Sequence, residues 1–343
     1  MTVPASQSAP VPVMAGQTPK SGNALARIWK TRELSTLLLL VLEVLFFAWY
    51  LWPDGDRRHP FLNGENALLI LKYSSIYGIA AIGAAIVIIS GGVDLAPGAI
   101  IALAGVAMGY CYVDAHLPLS LALAAGLGVG VLSGLVSALL VVTVGLPPFI
   151  ATLGIMGITR GLAFIVTEGR YIDVSQQLPP GWAPMGVPID WIAPGMMLVL
   201  ALVFQLIMRD FQWGRAVFAI GGNEIAARYS GIRVGRAKVH IYLLSGVLAA
   251  VSGVILTLSQ GQAKADLATG YELDIIASAV VGGASLAGGR GSVAGAVLGT
   301  LIFGVLRNAL PQIPGATFYD RLIVGLVVVS IVVMDQILVR KRA

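Results

Sequence analysis

Residues 67–113 read ALLILKYSSIYGIAAIGAAIVIISGGVDLAPGAIIALAGVAMGYCYV, which is two long apolar runs divided by a short interruption. A helix that crosses the hydrocarbon core of a bilayer needs about 20 mostly apolar residues, and each run supplies that length. Between the runs stands Ser90-Gly91-Gly92-Val93-Asp94, with Pro97-Gly98 following. The stretch therefore predicts two membrane-spanning helices joined by a break in regular structure.

The composition of the whole chain agrees with this local pattern. Of its 343 residues 57% are hydrophobic and only 11% are charged, and the mean hydropathy is +0.87. A soluble domain carries about 25% charged residues, so water cannot be the solvent for most of this chain. We predict an all-α fold: a polytopic transmembrane helical bundle that lies in a lipid membrane.

The apolar segments number about ten, with 8–10 as the range that the pattern allows. The eighth segment is short and flanked by glycine, so a re-entrant segment is the alternative to a full span there. The predicted spans are 34–52, 67–91, 95–113, 119–143, 148–167, 191–208, 238–260, 273–287, 292–310 and 320–338.

Basic residues set the predicted orientation. If ten helices cross the membrane in alternating directions, most of the 22 Lys and Arg residues lie on the same side as the N-terminus. Cytoplasmic loops are the ones that carry such an excess of basic residues. Both termini are predicted to be cytoplasmic. Residues 1–30, rich in Pro, Ser, Ala and Gln, are predicted to form a disordered cytoplasmic tail, and 31–343 the transmembrane domain.

The sequence lacks the residues that several classes of function require. The net charge of +5 is concentrated at the ends of apolar segments, which indicates membrane orientation and no nucleic-acid partner. Cys111 is the only cysteine, so no internal disulfide and no cysteine metal site can form. Phosphate-loop and HExxH patterns are absent, so we expect no enzyme, no bound metal and no cofactor on this chain.

Two rows of glycine recur at four-residue spacing, which places each row on one helix face and allows close approach of another helix. We interpret both rows as packing surfaces. The residues are Gly126, Gly130 and Gly134 in the first row, and Gly291, Gly295 and Gly299 in the second.

Ionisable side chains at membrane depth are costly and usually face a cavity or a partner. Glu43 lies mid-segment and is either a coupling carboxylate or a buried partner contact. The break at 90–94 is either a broken helix that offers backbone groups to a polar solute or a simple turn at the cytoplasmic face. The ionisable candidates are Glu43, Asp94, Arg160, Glu272, Asp274, Arg307 and Asp335.

The basic loop 209–237 is the longest predicted cytoplasmic loop. Asn223 can cap a short helix over residues 224–230, and Gly231 can end it. So short a helix is unstable alone in water, and it must dock on something. The alternatives are a soluble partner and the lipid surface.

At this loop the sequence resembles the ribose/xylose/arabinose-type permeases of bacterial ATP-binding-cassette (ABC) importers. Three further stretches resemble motifs of that family, and together the matches cover roughly residues 65–310. The matching stretches are Gly221-Gly222-Asn223-Glu224 with Ala226-Ala227 and Ser230-Gly231-Ile232, Gly91-Gly92-Val93-Asp94-Leu95 with Gly98, Pro148–Leu153 with Arg160-Gly161, and Tyr271–Ala277 with Gly282-Gly283 and 285–289. Ala96 and Pro97 depart from the family's usual residues.

The resemblance implies a permease subunit in the bacterial inner membrane that translocates a monosaccharide. Its implied partners are a second permease copy, a periplasmic sugar-binding protein and a separate ATPase subunit that holds the ATP and Mg. The implied contacts with the ATPase are Gly222, Asn223, Glu224, Arg228, Ser230 and Gly231.

We predict a translocation pathway whose aromatic and polar residues come from several segments. An ABC permease for a nucleoside, autoinducer-2 or a polyol is the alternative within the class, and an ion-coupled secondary carrier that uses Glu43 is the alternative outside it. The predicted pathway residues are Tyr73, Tyr77, Asp94, Phe149, Thr152, Glu272 and Asp274.

Overall fold

The computed structural model describes residues 32–52, 60–178 and 189–319, together with isolated helical residues between 322 and 333. The predicted tail 1–30 and most of the predicted span 320–338 lie outside these residues. The first half of the described chain contains five helices: α1 (Arg32–Tyr50), α2 (Gly64–Ile89), α3 (Pro97–Gly109), α4 (Leu119–Leu139) and α5 (Pro148–Thr167).

Single π-helical turns, Tyr110–Asp114 and Leu140–Val144, extend α3 and α4. Two short strands, β1 (Ile172–Asp173) and β2 (Gln262–Ala263), form one antiparallel pair. The second half contains α6 (Ile189–Asp210), α7 (Gln212–Gly222), α8 (Glu224–Tyr229), α9 (Val234–Gln260), α10 (Tyr271–Val281) and α11 (Val293–Ala309), and then 3-10 turns at Leu310–Gln312 and Ala316–Tyr319.

Eight helical segments in the described part of the chain are long and apolar enough to cross a membrane. The predicted eighth span, 273–287, instead forms the 11-residue helix α10, which ends at Val281. At 1.5 Å per residue α10 measures about 17 Å, roughly half of the hydrocarbon thickness. Its length favours the re-entrant alternative for this segment.

The most buried spanning helices are α2 and α9, while α1, α4, α5 and α6 expose much of their apolar surface. From Ile79 to Ile89 every residue of α2 is buried. Helix α2 is apolar on all sides, as expected of a helix surrounded by others. The core of the bundle is therefore built around α2 and α9, with α3, α4, α10 and α11 packed against them.

Glycines let the central helices approach closely. A Cβ at Gly126 would lie 2.9 Å from the Ala104 carbonyl of α3, and one at Gly130 would overlap the Gly246 carbonyl of α9. Gly295 and Gly299 face Gly282 and Ser278 in the same manner, so that α11 packs on α10.

The two remaining glycines of the predicted rows differ in position, since one lies on a helix face and the other lies before a helix. Gly134 faces the Tyr242 carbonyl of α9, where a Cβ would lie 2.6 Å away. Gly291 lies before α11 instead of on its face, because Ser292 caps the helix and Val293 begins it. Gly291 has φ +147°, a backbone conformation that suits glycine, and it packs against Ile89.

Gly130→Ala should destabilise the bundle by about 1–3 kcal/mol, since the added methyl group must push α4 away from α9. Thermal unfolding of the purified protein in detergent measures the effect. Gly128→Ala is the matched control on the same helix, because a Cβ there meets nothing within 4 Å. Equal stability of the two variants would contradict the close packing of α4 on α9.

Candidate functional site

The break between α2 and α3 is held inside the bundle by Asp94. This side chain is buried, and its Oδ1 accepts a hydrogen bond from the Ala96 N–H at 2.9 Å. Its Oδ2 accepts a hydrogen bond from the Ser245 hydroxyl at 2.7 Å. Ser245 lies about 17 Å along α9 from Val234, so the carboxylate is well inside the helical layer. Asp94 thus fixes the broken segment to α9.

Thr152 fixes the same segment from the side of α5. Its hydroxyl oxygen accepts a hydrogen bond from the Leu95 N–H at 3.2 Å and lies 3.2 Å from the Val93 carbonyl. Thr152 is fully buried. Backbone groups of a break at this depth need partners other than water, and Thr152 and Asp94 provide them.

The segment between β2 and α10 returns into the bundle and meets the start of α3. Arg160 of α5 donates hydrogen bonds to the carbonyls of Ala265 and Leu267 at 2.8 and 2.7 Å. A Cβ at Gly98 would overlap the Glu272 carboxylate and lie 2.9 Å from the Ala268 carbonyl. The first turns of α3 and α10 therefore meet within the bundle, at a junction that contains Glu272.

A buried ion pair links α10 to α11. Asp274 Oδ2 lies 2.6 Å from a terminal nitrogen of Arg307, and the two side chains are 3% and 30% exposed. Burial of a charged pair is favourable only with close geometry, which this pair has. The pair sets the position of the Arg307 guanidinium relative to the tyrosines nearby.

These tyrosines line a cavity of about 510 Å³ between α2, α10 and α11. The rings of Tyr77 and Tyr271 meet edge to face with centroids 4.3 Å apart, and Tyr73 lies at the cavity with 36% of its surface exposed. Arg307 and Asn308 add hydrogen-bond donors to the wall. Aromatic faces and a few fixed polar groups are the features of a small-molecule site.

On the other side of the bundle, α8 is capped and paired locally. The Asn223 side chain accepts a hydrogen bond from the Ala226 N–H at 2.9 Å. Glu224 contacts Lys238 at 2.7 Å and Arg228 at 3.2 Å. The hydrogen bond from Lys238 is the main cause that lowers the pKa of Glu224, so this carboxylate is ionised at neutral pH. The predicted helix and its cap at Asn223 are present.

The outer face of α8 is apolar and exposed. Ile225 is 70% exposed and Tyr229 is 89% exposed, whereas Ala227 is buried against the bundle. The Ser230 hydroxyl donates to the Ala226 carbonyl at 2.9 Å, and Gly231 ends the helix with φ +84°. The helix is thus held on its inner side and presents two large side chains outwards.

Helix α7, which the sequence analysis did not predict, connects α8 to the break. A Cβ at Gly221 would overlap the Ile89 carbonyl at the end of α2. The Gly289 N–H donates a hydrogen bond to that carbonyl at 2.8 Å, and Gly288 packs on the Gly221 carbonyl. Three backbone segments therefore meet without intervening side chains. We call this meeting point, formed by Ile89, Gly221, Gly288 and Gly289, the glycine junction.

Comparison with known proteins identifies the architecture. A family sequence profile described as "Branched-chain amino acid transport system / permease component" matches residues 66–332. The chain belongs to this permease family. Its helices of spanning length make it a multi-pass membrane protein and a transport component.

Individual permeases of known name align over most of the chain. The ribose import permease protein RbsC of Haemophilus influenzae is 36% identical, over 82% of this chain and 88% of the relative. RbsC of Bacillus subtilis is 38% identical, over 80% and 86%. The L-arabinose transport system permease protein AraH of Escherichia coli is 32% identical, over 93% and 94%. No solved structure matches the chain significantly. The resemblance to sugar ABC permeases is confirmed.

The structure divides the predicted pathway residues of this permease into two groups. Tyr73 and Tyr77 line the tyrosine cavity, with Asp274 behind it. Asp94 and Thr152 anchor the break, and Glu272 lies between the two groups. Phe149 is 53% exposed at the start of α5 and outside the cavity wall.

Sequence reasoning missed the other three aromatic or polar side chains of the cavity: Tyr271, Arg307 and Asn308. Tyr271 begins a stretch that carried the family resemblance, and Arg307 was noted only as an ionisable residue at membrane depth. Their meeting depends on how α10 and α11 pack, which spacing along the chain does not give. Glu43 is half-buried on α1 and does not line the tyrosine cavity.

Asp274→Asn should destabilise the permease by about 3–5 kcal/mol, because it leaves the Arg307 guanidinium without the facing carboxylate. Thermal unfolding in detergent micelles measures this, and Asp274→Asn with Arg307→Gln should recover part of the loss. Asp210→Asn is the control, since its pair with Arg209 is exposed and contributes little. If the double variant loses as much stability as the two single variants lose together, or more, the pairing is contradicted.

Proposed function

We propose that this chain is the membrane-spanning permease subunit of an ATP-driven importer, and that it translocates a monosaccharide delivered by a periplasmic binding protein. The observation that carries the proposal is the alignment with ribose and arabinose permeases over at least 80% of the chain. In this proposal the protein lies in the bacterial inner membrane with both termini in the cytoplasm.

The tyrosine cavity supports a neutral, polyhydroxylated solute. An aromatic face can pack on the C–H face of a sugar ring, while Arg307 and Asn308 can donate hydrogen bonds to hydroxyl groups. The description of the matching family refers to branched-chain amino acids, which carry both a positive and a negative charge. The Arg307 charge is already paired with Asp274, so the cavity offers little to a zwitterion. A nucleoside, a polyol or autoinducer-2 is the alternative substrate within the same mechanism.

The energy source in this proposal is a separate ATPase subunit, which holds the ATP and Mg and docks on α8. Ile225 and Tyr229 supply an exposed apolar surface for that contact. The ion pair of Glu224 with Lys238 holds the helix against α9. Gly222, Asn223, Ser230 and Gly231 fix its two ends.

Movement of α8 has a direct route into the bundle through the glycine junction. Helix α7 ends at Gly222, next to Gly221, and Gly221 contacts the last carbonyl of α2. That carbonyl immediately precedes the break that Asp94 and Thr152 anchor. ATPase motion would therefore reach the broken segment through backbone contacts. A second permease copy completes the pathway in this proposal.

Glu224→Ala with Arg228→Ala should abolish ATP-driven uptake and co-purification of the ATPase, while membrane insertion remains normal, because α8 loses the pairs that position it. Uptake into vesicles and affinity purification with mass spectrometry measure these effects. Asp114→Ala with Arg170→Ala is the control for co-purification, since that exposed pair lies at the opposite end of the bundle. Normal uptake by the Glu224/Arg228 variant would refute the docking role of α8.

Tyr73→Leu should raise the apparent KM for sugar uptake about tenfold, since a lost aromatic contact of about 1.4 kcal/mol corresponds to that factor. Tyr73→Phe should retain most of the affinity because it keeps the ring. Tyr110→Leu, an exposed aromatic residue outside the cavity, is the matched control.

Uptake of labelled ribose, arabinose, adenosine, ribitol and leucine by the wild-type importer distinguishes the substrate classes. The proposal is supported if ribose or arabinose is taken up or competes for uptake and the other three solutes do not. Transport of leucine with no effect of pentoses would overturn the sugar assignment, and transport without ATP would identify a secondary carrier.

A further inference from the structure

A second polar cavity, of about 810 Å³, lies beside α8 and is separate from the tyrosine cavity. It is bounded by the start of α9 on one side and by the connection between α4 and α5 on the other. Four basic side chains and a single acidic one line it. These are Arg228, Arg233, Arg236, Lys238 and Glu224.

The charges in this cavity do not balance. Glu224 is engaged by both Lys238 and Arg228, at 2.7 and 3.2 Å. Arg233 and Arg236 form no ion pair within the described part of the chain, and both are exposed. The cavity therefore has surplus positive charge that a bound anion would neutralise.

The first turn of α9 adds to the same imbalance. The N-terminal end of a helix carries a partial positive charge, which favours acidic side chains there. Helix α9 is 27 residues long, and its first turn contains no acidic residue. Arg233 is its N-cap, and Arg236 lies in the first turn. The helix end and the two arginines thus both place positive charge on one wall of the cavity. An anion bound there would neutralise part of both.

The opposite wall is apolar. Val142, Leu146 and Pro147 line it, and it is continuous with the end of α4, where Leu139 is 55% and Val144 is 60% exposed. A free inorganic anion gains nothing from such a wall, and an acidic side chain of a protein partner gains little. An amphipathic anion matches both walls, because its charged group can face the arginines while its hydrocarbon lies along α4.

We propose that this cavity binds the phosphate headgroup of an anionic phospholipid, of the phosphatidylglycerol class, with an acyl chain along α4. Basic pockets beside membrane-spanning helices are suited to such headgroups. The lipid would lie beside α8 without filling its exposed face at Ile225 and Tyr229. The inference requires only that the start of α9 lies at a membrane surface, whatever solute is transported.

Native mass spectrometry of the full chain, released from mixed phosphatidylglycerol and phosphatidylcholine micelles, tests the proposal. The wild type should retain one phosphatidylglycerol in preference to phosphatidylcholine. Arg233→Ala with Arg236→Ala should weaken this retention about thirtyfold, whereas lysine at both positions should keep most of it. Thermal unfolding without added lipid establishes that each variant is folded.

Arg209→Ala with Arg215→Ala is the matched control, since it removes two exposed charges, one at the end of α6 and one in α7, that do not line the cavity. It should leave lipid retention unchanged. Equal loss in the two double variants would overturn the proposal, as would equal retention of both lipids by the wild type. Displacement of the lipid by millimolar inorganic phosphate would assign the cavity to a free anion, and cross-linking of an ATPase from position 236 would assign it to a protein.

Discussion

The hydrogen bonds of the broken segment 90–96 are the constraint on which the rest of the structure depends. Irregular backbone at membrane depth is tolerated only where protein or trapped water satisfies its polar groups. Asp94 and Thr152 meet part of this requirement from inside the bundle, with Ser245 as the partner on α9. The break must therefore be enclosed, and α2 and α9 are consequently the central helices around which the others pack.

Much of this fold follows from the sequence, because apolar length is a local property. The segment 148–167 is a helix with those bounds, and Asn223 caps α8 as its position predicts. Helix α7 was missed because its 11 residues mix glycine, Trp213 and Arg215 without a long apolar run. The 273–287 segment reads as a span because Gly282 and Gly283, which end α10, are followed by more small apolar residues.

The site was less accessible to prediction than the fold. Residues such as Tyr77 and Asp274 can be selected because aromatic and charged side chains are unusual inside an apolar chain. Helix packing brings Tyr271, Arg307 and Asn308 to the same cavity as Tyr73 and Tyr77. Arg307 and its partner Asp274 are far along the chain from Tyr73 and Tyr77, and no periodicity relates them.

The short length of α10 bears on how the protein enters the membrane during synthesis. A helix of 11 residues with Glu272 and Asp274 in its first turn presents too little apolar surface to partition into lipid by itself. Its close partner is α11, through Gly282 and Gly295. We therefore expect the two helices to leave the insertion machinery as one hairpin. Until α11 has been made, α10 lacks the partner that carries Arg307, and the tyrosine cavity lacks one of its walls.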